Sequence, residues 1–324
     1  MKVCVLGAGA IGGWMGVKLA QAGLDVSVLA RGVTLAAIER DGLRLISGSE
    51  SATVRVKAAA FASELDLPDL LIVAVKAPAL RDAALSVASL IGPNTIVLTA
   101  MNGVPWWFFD RTDRPLAGTR LATIDASGDI NASIAAGSVI GCVVHAACSA
   151  DAPGVIRHKV GQRLIIGEPS GGESSRLAAL AAALSAAGFE AEASVDIQKE
   201  VWFKLWGNMT MNPVSAITGA TTDVILDDPL VREFCSNVMR EAQTIGHKIG
   251  IPIDQTVDAR HAVTRKLGAM KTSMLQDVEA GKGIELDALV AAVAEIGQRA
   301  GVPTPYTDAM LGLTRLMARG RGLY

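Results

Sequence analysis

Residues 2–13 read "KVCVLGAGAIGG", an apolar run that ends in a G-x-G-x-x-G turn formed by Gly7, Gly9 and Gly12. A helical pattern, "GGWMGVKLAQAG", follows directly, and a second apolar run, "DVSVLAR", comes after it. In such a strand–turn–helix–strand unit the glycines allow a tight turn, a close approach of pyrophosphate and tight helix packing. An ordinary strand–helix turn is the alternative. The context favours a Rossmann-type unit that binds a dinucleotide through the turn, residues Gly7, Ala8, Gly9, Ala10, Ile11 and Gly12.

The end of the second predicted strand indicates which dinucleotide is preferred. An NAD site has Asp or Glu about 20 residues after the turn, where the carboxylate holds the ribose 2′-hydroxyl. Here the strand ends in "SVLARG", which has no acid and places Arg31 near that position. Because a guanidinium pairs with a 2′-phosphate, the sequence favours NADP(H) over NAD(H). A solvated surface arginine is the alternative for Arg31.

The remaining pattern predicts two domains. Short β-branched runs alternate with helical patterns up to about residue 117, which indicates a parallel sheet covered by helices. Residues 120–130, 138–148, 154–161 and 163–169 read as further strands, and 173–187 as an Ala-rich helix. Helices are predicted at 198–217, 227–249, 254–269, 286–300 and 304–319. The expected fold is therefore an α/β Rossmann-like domain over 1–190 and an all-α domain over 191–324.

Composition excludes several classes of partner. Lys plus Arg (30) nearly balances Asp plus Glu (32), and the formal net charge of −2 gives no support for nucleic-acid or anionic-membrane binding. No uninterrupted apolar run has membrane-spanning length. The four cysteines match neither a zinc pattern nor a redox pair, and the four histidines are scattered. We therefore expect a reduced, cytoplasmic setting and no metal.

Two polar residues end buried strands of the first domain. Lys76 ends "LIVAVK", and Asn102 with Gly103 ends "IVLTAMNG". Ligands of such sheets bind outside the carboxyl ends of the strands, so both side chains are candidates for the cofactor crevice. A helix cap or a simple turn is the alternative for each. Their shared location favours the functional interpretation.

A polar line crosses the apolar helix "VWFKLWGNMTMNP", residues 201–213. Lys204, Asn208 and Asn212 recur at intervals of four and therefore share one helical face. A narrow polar stripe in an apolar helix suits the wall of a ligand cleft. The alternative is that Lys204 reaches solvent and both amides satisfy backbone groups.

These motifs together resemble the ketopantoate reductase family over essentially the full length. The similar segments are "GAGAIGG", Arg31, "VK" at 75–76, "NG" at 102–103, "WFKLWGNMTMNP", "TSMLQDVEAGKGIELD" and "GVPTP". The resemblance implies a Rossmann domain, a helical domain like that of 6-phosphogluconate dehydrogenase relatives, and NADPH-dependent reduction of a 2-keto acid. The substrate that the resemblance implies by default is 2-dehydropantoate, whose reduction yields pantoate for pantothenate and coenzyme A biosynthesis.

The resemblance also implies roles for individual residues. Lys204 would be the general acid, and Glu285 would bind the substrate hydroxyl and help to place Lys204. Asn208, Asn212 and Ser273 would hold the substrate, with Asn102 near nicotinamide and substrate. Lys76 would lie near the cofactor or the substrate carboxylate. From the residues alone, Glu285 would instead be an acid near a helix N-terminus.

One segment departs from the family pattern. From Asn102 the chain reads "NGVPWWFFD", and its bulky rings are expected to line the substrate pocket, form a lid over it, or pack between the domains, with core packing as the alternative. A pocket role would favour a 2-hydroxy acid dehydrogenase acting on another branched or aromatic substrate. A non-catalytic dinucleotide-binding sensor is the alternative of another class, although it would not need Lys204 and Glu285. The apolar segment "MLGLTRLMA" makes a homodimer an open expectation.

Overall fold

The computed structural model describes all residues, 1–324, as two compact units. The first comprises Met1–Met101 and Gly128–Ile197, and the second comprises Asn102–Ser127 and Gln198–Tyr324. This division differs from a single boundary at 190 because Asn102–Ser127 groups with the helical unit. The backbone N–H of Val104 donates to the carbonyl of Ala288 (2.9 Å), which ties this segment to the second unit.

The first unit is built on one ten-stranded sheet. Its strands are β1 Lys2–Leu6, β2 Asp25–Leu29, β3 Leu43–Ser47, β4 Glu50–Val54, β5 Lys57–Ala59, β6 Leu70–Val73, β7 Ile96–Ala100, β8 Val139–Ala152, β9 Val155–Gly167 and β10 Glu190–Ala193. They are ordered β4-β3-β9-β8-β7-β6-β1-β2-β5, with β10 on β9. In the sheet, the six neighbouring strands β8-β7-β6-β1-β2-β5 are all parallel, which confirms the Rossmann-like α/β prediction.

The central strands are almost entirely buried because helices cover the sheet. All four residues of β6 are buried, as are four of the five residues in β1 and in β7. A strand that is buried on both faces has no reason to alternate polar and apolar residues. This burial explains why the unbroken run "LLIV" marks the centre of the sheet.

Helices account for most of the remaining chain. The first unit contains α1 Ala10–Gln21, α2 Gly32–Asp41, α3 Leu80–Val87, α5 Asp129–Ser133 and α6 Ser175–Ala186. The second contains α4 Ala122–Asp125, α7 Ile197–Thr218 from its second residue onward, α8 Thr222–Asp227, α9 Pro229–Lys248, α10 Val257–Arg265, α11 Ser273–Glu279, α12 Ala292–Arg299 and α13 Pro305–Gly320. A π-helical segment, Asp287–Ala291, precedes α12. The second unit is thus all-α, as predicted, and no helix is both long and apolar enough to span a bilayer.

Two strand predictions need correction. The strands expected at 154–161 and 163–169 are one strand, β9, which pairs antiparallel with β8. The strand expected over 120–130 is wrong, because these residues form α4 and the start of α5. The Glu295 carboxylate accepts from the backbone N–H groups of Ala122 and Thr123 (2.9 Å each) and from the Thr123 hydroxyl (2.7 Å). This cap from a distant residue favours a helix start that local alternation cannot reveal.

Candidate active site

The turn between β1 and α1 needs two of its three glycines for its own geometry. Gly7 has φ +96°, and a Cβ there would lie 2.9 Å from Val75 Cγ1. A Cβ on Gly12 would collide with the Gly7 carbonyl oxygen and lie 3.0 Å from the Ala74 Cβ. Gly9, in contrast, is exposed and would meet nothing within 4 Å. The turn is therefore tight beneath Gly7 and Gly12 and open above Gly9.

The N-terminus of α1 opens onto the same turn. Gly9 is the N-cap and supplies no side-chain acceptor, and the first turn contains no acidic residue. The first backbone N–H groups, from Ala10, Ile11 and Gly12, have no acceptor within the helix, and the helix dipole makes this end positive. With open space at Gly9, this end fits a phosphate group.

Two basic residues follow the strands that flank β1. Arg31 lies two residues after β2 as the N-cap of α2, is exposed, and its guanidinium takes part in no salt bridge. Lys76 lies three residues after β6 and precedes a 3₁₀ turn at Ala77–Ala79. Because β2, β1 and β6 are adjacent and parallel, Arg31, Lys76 and the glycine turn occupy one edge of the sheet. This edge of the first unit fits a dinucleotide.

The second unit contains the polar line on α7. Lys204 and Asn208 are half-buried, and Asn212 is 5% exposed, in a helix whose tryptophans are fully buried. The Lys204 ammonium donates to the Asn102 side-chain oxygen at 2.9 Å. The Asn212 amide donates to the hydroxyl of Ser273 at 3.3 Å. Four residues expected to share a site therefore meet as two hydrogen-bonded pairs.

A close contact at Gly103 positions Asn102. Gly103 has φ +84°, and a Cβ there would lie 2.6 Å from both the Cβ and the carbonyl oxygen of Ala288. Ala288 belongs to the π-helical segment, which begins two residues after Glu285. Glu285 is 8% exposed, and its backbone carbonyl accepts from the N–H of Leu289 within the segment (3.2 Å). Only glycine lets the chain after Asn102 approach so closely, which explains the Asn-Gly pair.

The aromatic segment after Gly103 is packed within the second unit. Trp106, Trp107, Phe108 and Phe109 are all buried, and Phe108 lies 6.0 Å from the Trp202 ring, centroid to centroid. A pocket of about 220 Å³ is also bordered by Phe108, Phe109, Arg111, Arg114, Pro115, Gln198, Ile249 and Ile251. Burial of all four rings favours the packing interpretation of "PWWFF".

Cysteine and histidine side chains form no further centre. All four cysteines are free thiols, and burial raises the pKa of Cys4 to about 11. No three His, Cys, Asp or Glu side chains are grouped to hold a metal ion. His261 is buried, with Nε2 3.0 Å from the Ser236 hydroxyl, and burial lowers the pKa of this imidazole.

One charged residue beside α7 was not expected from the sequence. Arg260 of α10 places its guanidinium carbon 5.1 Å from the centroid of the Phe203 ring. A Cβ on Gly207 would lie 2.7 Å from Nη2 of the same guanidinium. The only sign of this contact in the sequence is Gly207, a glycine among bulky residues of the helix. No local pattern links positions 207 and 260.

The first unit has a glycine turn that is open to phosphate, and the helical unit holds an ammonium against a side-chain amide. This combination is typical of a dinucleotide-dependent oxidoreductase. Comparison with known proteins narrows this class. The chain belongs to the ketopantoate reductase family: the model of Ketopantoate reductase PanE/ApbA matches residues 3–111, and that of Ketopantoate reductase PanE/ApbA C terminal matches residues 196–318. The resemblance drawn from the motifs is thereby confirmed.

Individual relatives agree over their full length. A 2-dehydropantoate 2-reductase of Mesorhizobium japonicum is 46% identical over 325 residues, which cover 100% of each chain. A solved structure of a candidate ketopantoate reductase from Ralstonia solanacearum MolK2 is 56% identical, covers 100% of this chain and 99% of its own, and has a TM-score of 0.97. The 2-dehydropantoate 2-reductase structure from Methylococcus capsulatus is 27% identical, with 99% and 98% covered and a TM-score of 0.84.

Proposed function

We propose that the protein reduces a 2-keto acid to a 2-hydroxy acid with NADPH, and that 2-dehydropantoate is the substrate and pantoate the product. The observation that carries the proposal is the hydrogen bond from Lys204 to Asn102 on the polar face of α7. It holds a cationic proton donor at a fixed point in an otherwise apolar helix. The full-length relative named 2-dehydropantoate 2-reductase supports the choice of substrate.

Lys204 acts as the general acid. When bound, a reduced nicotinamide would supply the hydride that C2 of the keto acid accepts, and the carbonyl π pair would then reside on the keto oxygen. The Lys204 Nζ donates a proton to that oxygen, and the resulting amine regains a proton from water. A cation aimed at the developing alkoxide stabilises the transition state more than the ground state. Asn102 orients the ammonium because its side-chain oxygen already accepts one N–H.

The other polar residues hold the substrate. Asn208 lies one helical turn from Lys204, and Asn212 lies one turn further. Ser273, whose hydroxyl meets the Asn212 amide, is exposed and available to a ligand. Glu285 binds the hydroxyl of the substrate and helps to place Lys204. An amide line accepts and donates along one face, as a keto acid with a hydroxyl requires.

The first unit binds the cofactor in this proposal. Residues Gly7, Ala8, Gly9, Ala10, Ile11 and Gly12 receive the pyrophosphate, which the open space at Gly9 supports. Arg31 pairs with the 2′-phosphate of NADP(H), because it is exposed and has no salt-bridge partner. Lys76 lies at the same edge and contacts the cofactor.

The test is the loss of reduced-nicotinamide absorbance with purified protein and 2-dehydropantoate. A panel of other branched and aromatic 2-keto acids and an NADH control accompany it. Turnover of 2-dehydropantoate with NADPH, well above the other combinations, is expected. If only a different keto acid is turned over, that acid becomes the assigned substrate and the 2-hydroxy acid dehydrogenase alternative is supported. Cofactor binding without turnover of any keto acid would support the sensor alternative.

A cytoplasmic location and a homodimer complete the proposal. Four free thiols are ordinary in a reducing compartment. Leu313 and Leu316 on α13 are 58% and 71% exposed, which favours self-association through this helix. Light scattering during size exclusion tests the dimer, and Leu316→Glu is expected to give a monomer. A wild-type mass equal to one chain would contradict the dimer.

A further inference from the structure

Arg260 is a half-buried cation without a salt-bridge partner. Its Nε is buried and has no hydrogen-bond acceptor, and no carboxylate forms a salt bridge with the guanidinium. Burial lowers the pKa of Arg260, and no neighbouring acid offsets this effect. More exposed arginines in the same unit do have partners, since Arg265 pairs with Asp227 and Arg299 with Glu295. A half-buried guanidinium whose Nε has no acceptor is less well solvated than one in water, and a bound anion would offset this cost.

The guanidinium lies against Phe203 and Gly207 of α7, on the helix surface next to the line that contains the general acid. It sits over Phe203 and against Gly207, where a Cβ would approach Nη2 to 2.7 Å and Nε to 3.1 Å. Gly207 is three residues after Lys204, and residues at this spacing are neighbours on a helix surface, with about 5–6 Å between their Cβ positions. Phe203, Lys204 and Asn208 are also the half-buried side chains of this stretch, so this face remains accessible.

We infer that Arg260 binds the carboxylate of the 2-keto acid and thereby positions its keto group against Lys204; this inference rests on the proposed function. The carboxylate and the keto oxygen are on adjacent carbons, so one small ligand reaches two neighbouring cations. The anion supplies the missing counter-charge of Arg260, and it lies between two groups that would otherwise repel each other. A guanidinium also matches a carboxylate through two parallel N–H donors, which fixes its orientation.

Gly207 is part of this arrangement. Any side chain at 207 would occupy the position of the guanidinium. This close approach explains a glycine in the interior of α7, where glycine normally weakens a helix. The competing explanation is that Arg260 only packs on Phe203 through a cation–π contact. That explanation gives Arg260 no effect on substrate recognition, and kinetics separate the two.

The experiment compares Arg260→Met with wild type in steady-state assays with NADPH. The substrates are 2-dehydropantoate, or the best keto acid of the panel, and the matching 2-keto amide. We expect KM for the acid to rise about 10- to 100-fold, as for loss of a charge-assisted hydrogen bond, while KM for the amide and the affinity for NADPH stay unchanged. Arg260→Lys, which keeps the charge without the fork, is expected to lie between the two. Arg265→Met is the matched control on the same helix, with wild-type KM expected.

A second variant guards against a folding defect. Gly207→Ala pushes the guanidinium away and is expected to raise KM for the acid severalfold, with a melting temperature at or above that of wild type, because alanine is the better helix former. An unchanged KM for the acid in Arg260→Met, or equal rises for acid and amide, would overturn the assignment. Lack of wild-type turnover on every keto acid would instead overturn the proposed function, and the assignment with it.

Discussion

Lys204 donates a 2.9 Å hydrogen bond to the side-chain oxygen of Asn102, a residue 102 positions away in the chain. Both residues belong to the second unit, because the chain leaves β7 and packs against the π-helical segment at Gly103. This contact, which orients the ammonium, therefore lies within the helical unit. A proton donor held in this way loses little conformational entropy when a ligand arrives.

Removal of the ammonium tests the proposed general acid. Lys204→Met keeps most of the side-chain volume, and we expect kcat to fall about 10²- to 10⁴-fold, as for loss of a positioned acid. The dissociation constant for NADPH, measured by quenching of protein fluorescence, should change less than about twofold, because Lys204 is not in the unit that carries the glycine turn. Lys248→Met, an exposed lysine on α9, is the control. A kcat within a few fold of wild type would show that another group supplies the proton.

Two glycine substitutions separate folding from cofactor binding. Gly9→Ala adds a methyl group in open space, so the melting temperature should stay near that of wild type while NADPH affinity falls at least tenfold. Gly12→Ala drives a Cβ into the Gly7 carbonyl and should destabilise the protein by about 1–3 kcal/mol. Calorimetry and fluorescence titration of both variants provide the comparison. Equal NADPH affinity in Gly9→Ala and wild type would show that the pyrophosphate does not bind at this turn.

Arg31 is predicted to select the phosphorylated cofactor. In Arg31→Ala the specificity constant with NADPH should fall about 10- to 100-fold, while that with NADH stays unchanged, because only the 2′-phosphate loses its partner. Arg40→Ala is the control, since Arg40 is exposed on α2 and is paired with Asp41. An equal fall in the specificity constants with NADPH and NADH would show that Arg31 does not pair with the 2′-phosphate.

The fold was largely predictable because its strongest signals are local. The strand–turn–helix at residues 2–21, the buried run of β6 and the long apolar α7 each contain their own periodicity or turn chemistry. The strand wrongly expected over 120–130 failed for the opposite reason. The Glu295 carboxylate that caps this helix lies about 170 residues away, as the Ala122 and Thr123 contacts show. Nothing in the local pattern "RLATID" reveals it.

The candidate site shows the same limit. The spacing of Lys204, Asn208 and Asn212 on one helix was readable, and Asn102 was predicted from its position at a strand end. The role of Asn102 beside the substrate, and that of Ser273, came from family resemblance. Arg260 was missed altogether, because its relation to α7 depends on the packing of α10 against a single glycine. A residue that acts through a long-range contact leaves no periodic signal.

The last prediction concerns a buried ion pair in the first unit. Glu168 is buried and accepts from Arg176 Nη2 (2.5 Å) and Nε (2.8 Å) and from the Ser174 hydroxyl (2.5 Å). Arg176 also donates to the carbonyls of Gly137 and Val139. Burial raises the pKa of Glu168, but the hydrogen bonds from Arg176 and Ser174 outweigh it and hold the pKa below the ordinary 4.5.

This lowered pKa sets the direction of the pH dependence. The unfolded chain binds the proton of Glu168 more readily, so the stabilisation is fully present above about pH 4.5 and is lost as the pH falls through the lower folded value. Arg176→Met leaves a buried carboxylate without its partner and should cost about 3 kcal/mol near pH 7 in urea unfolding, with a smaller difference from wild type near pH 3.5. Arg163→Met, which breaks the exposed pair with Glu192, should cost less than about 1 kcal/mol. A difference between Arg176→Met and wild type that grows on acidification would mean that Glu168 has a raised pKa in the folded protein.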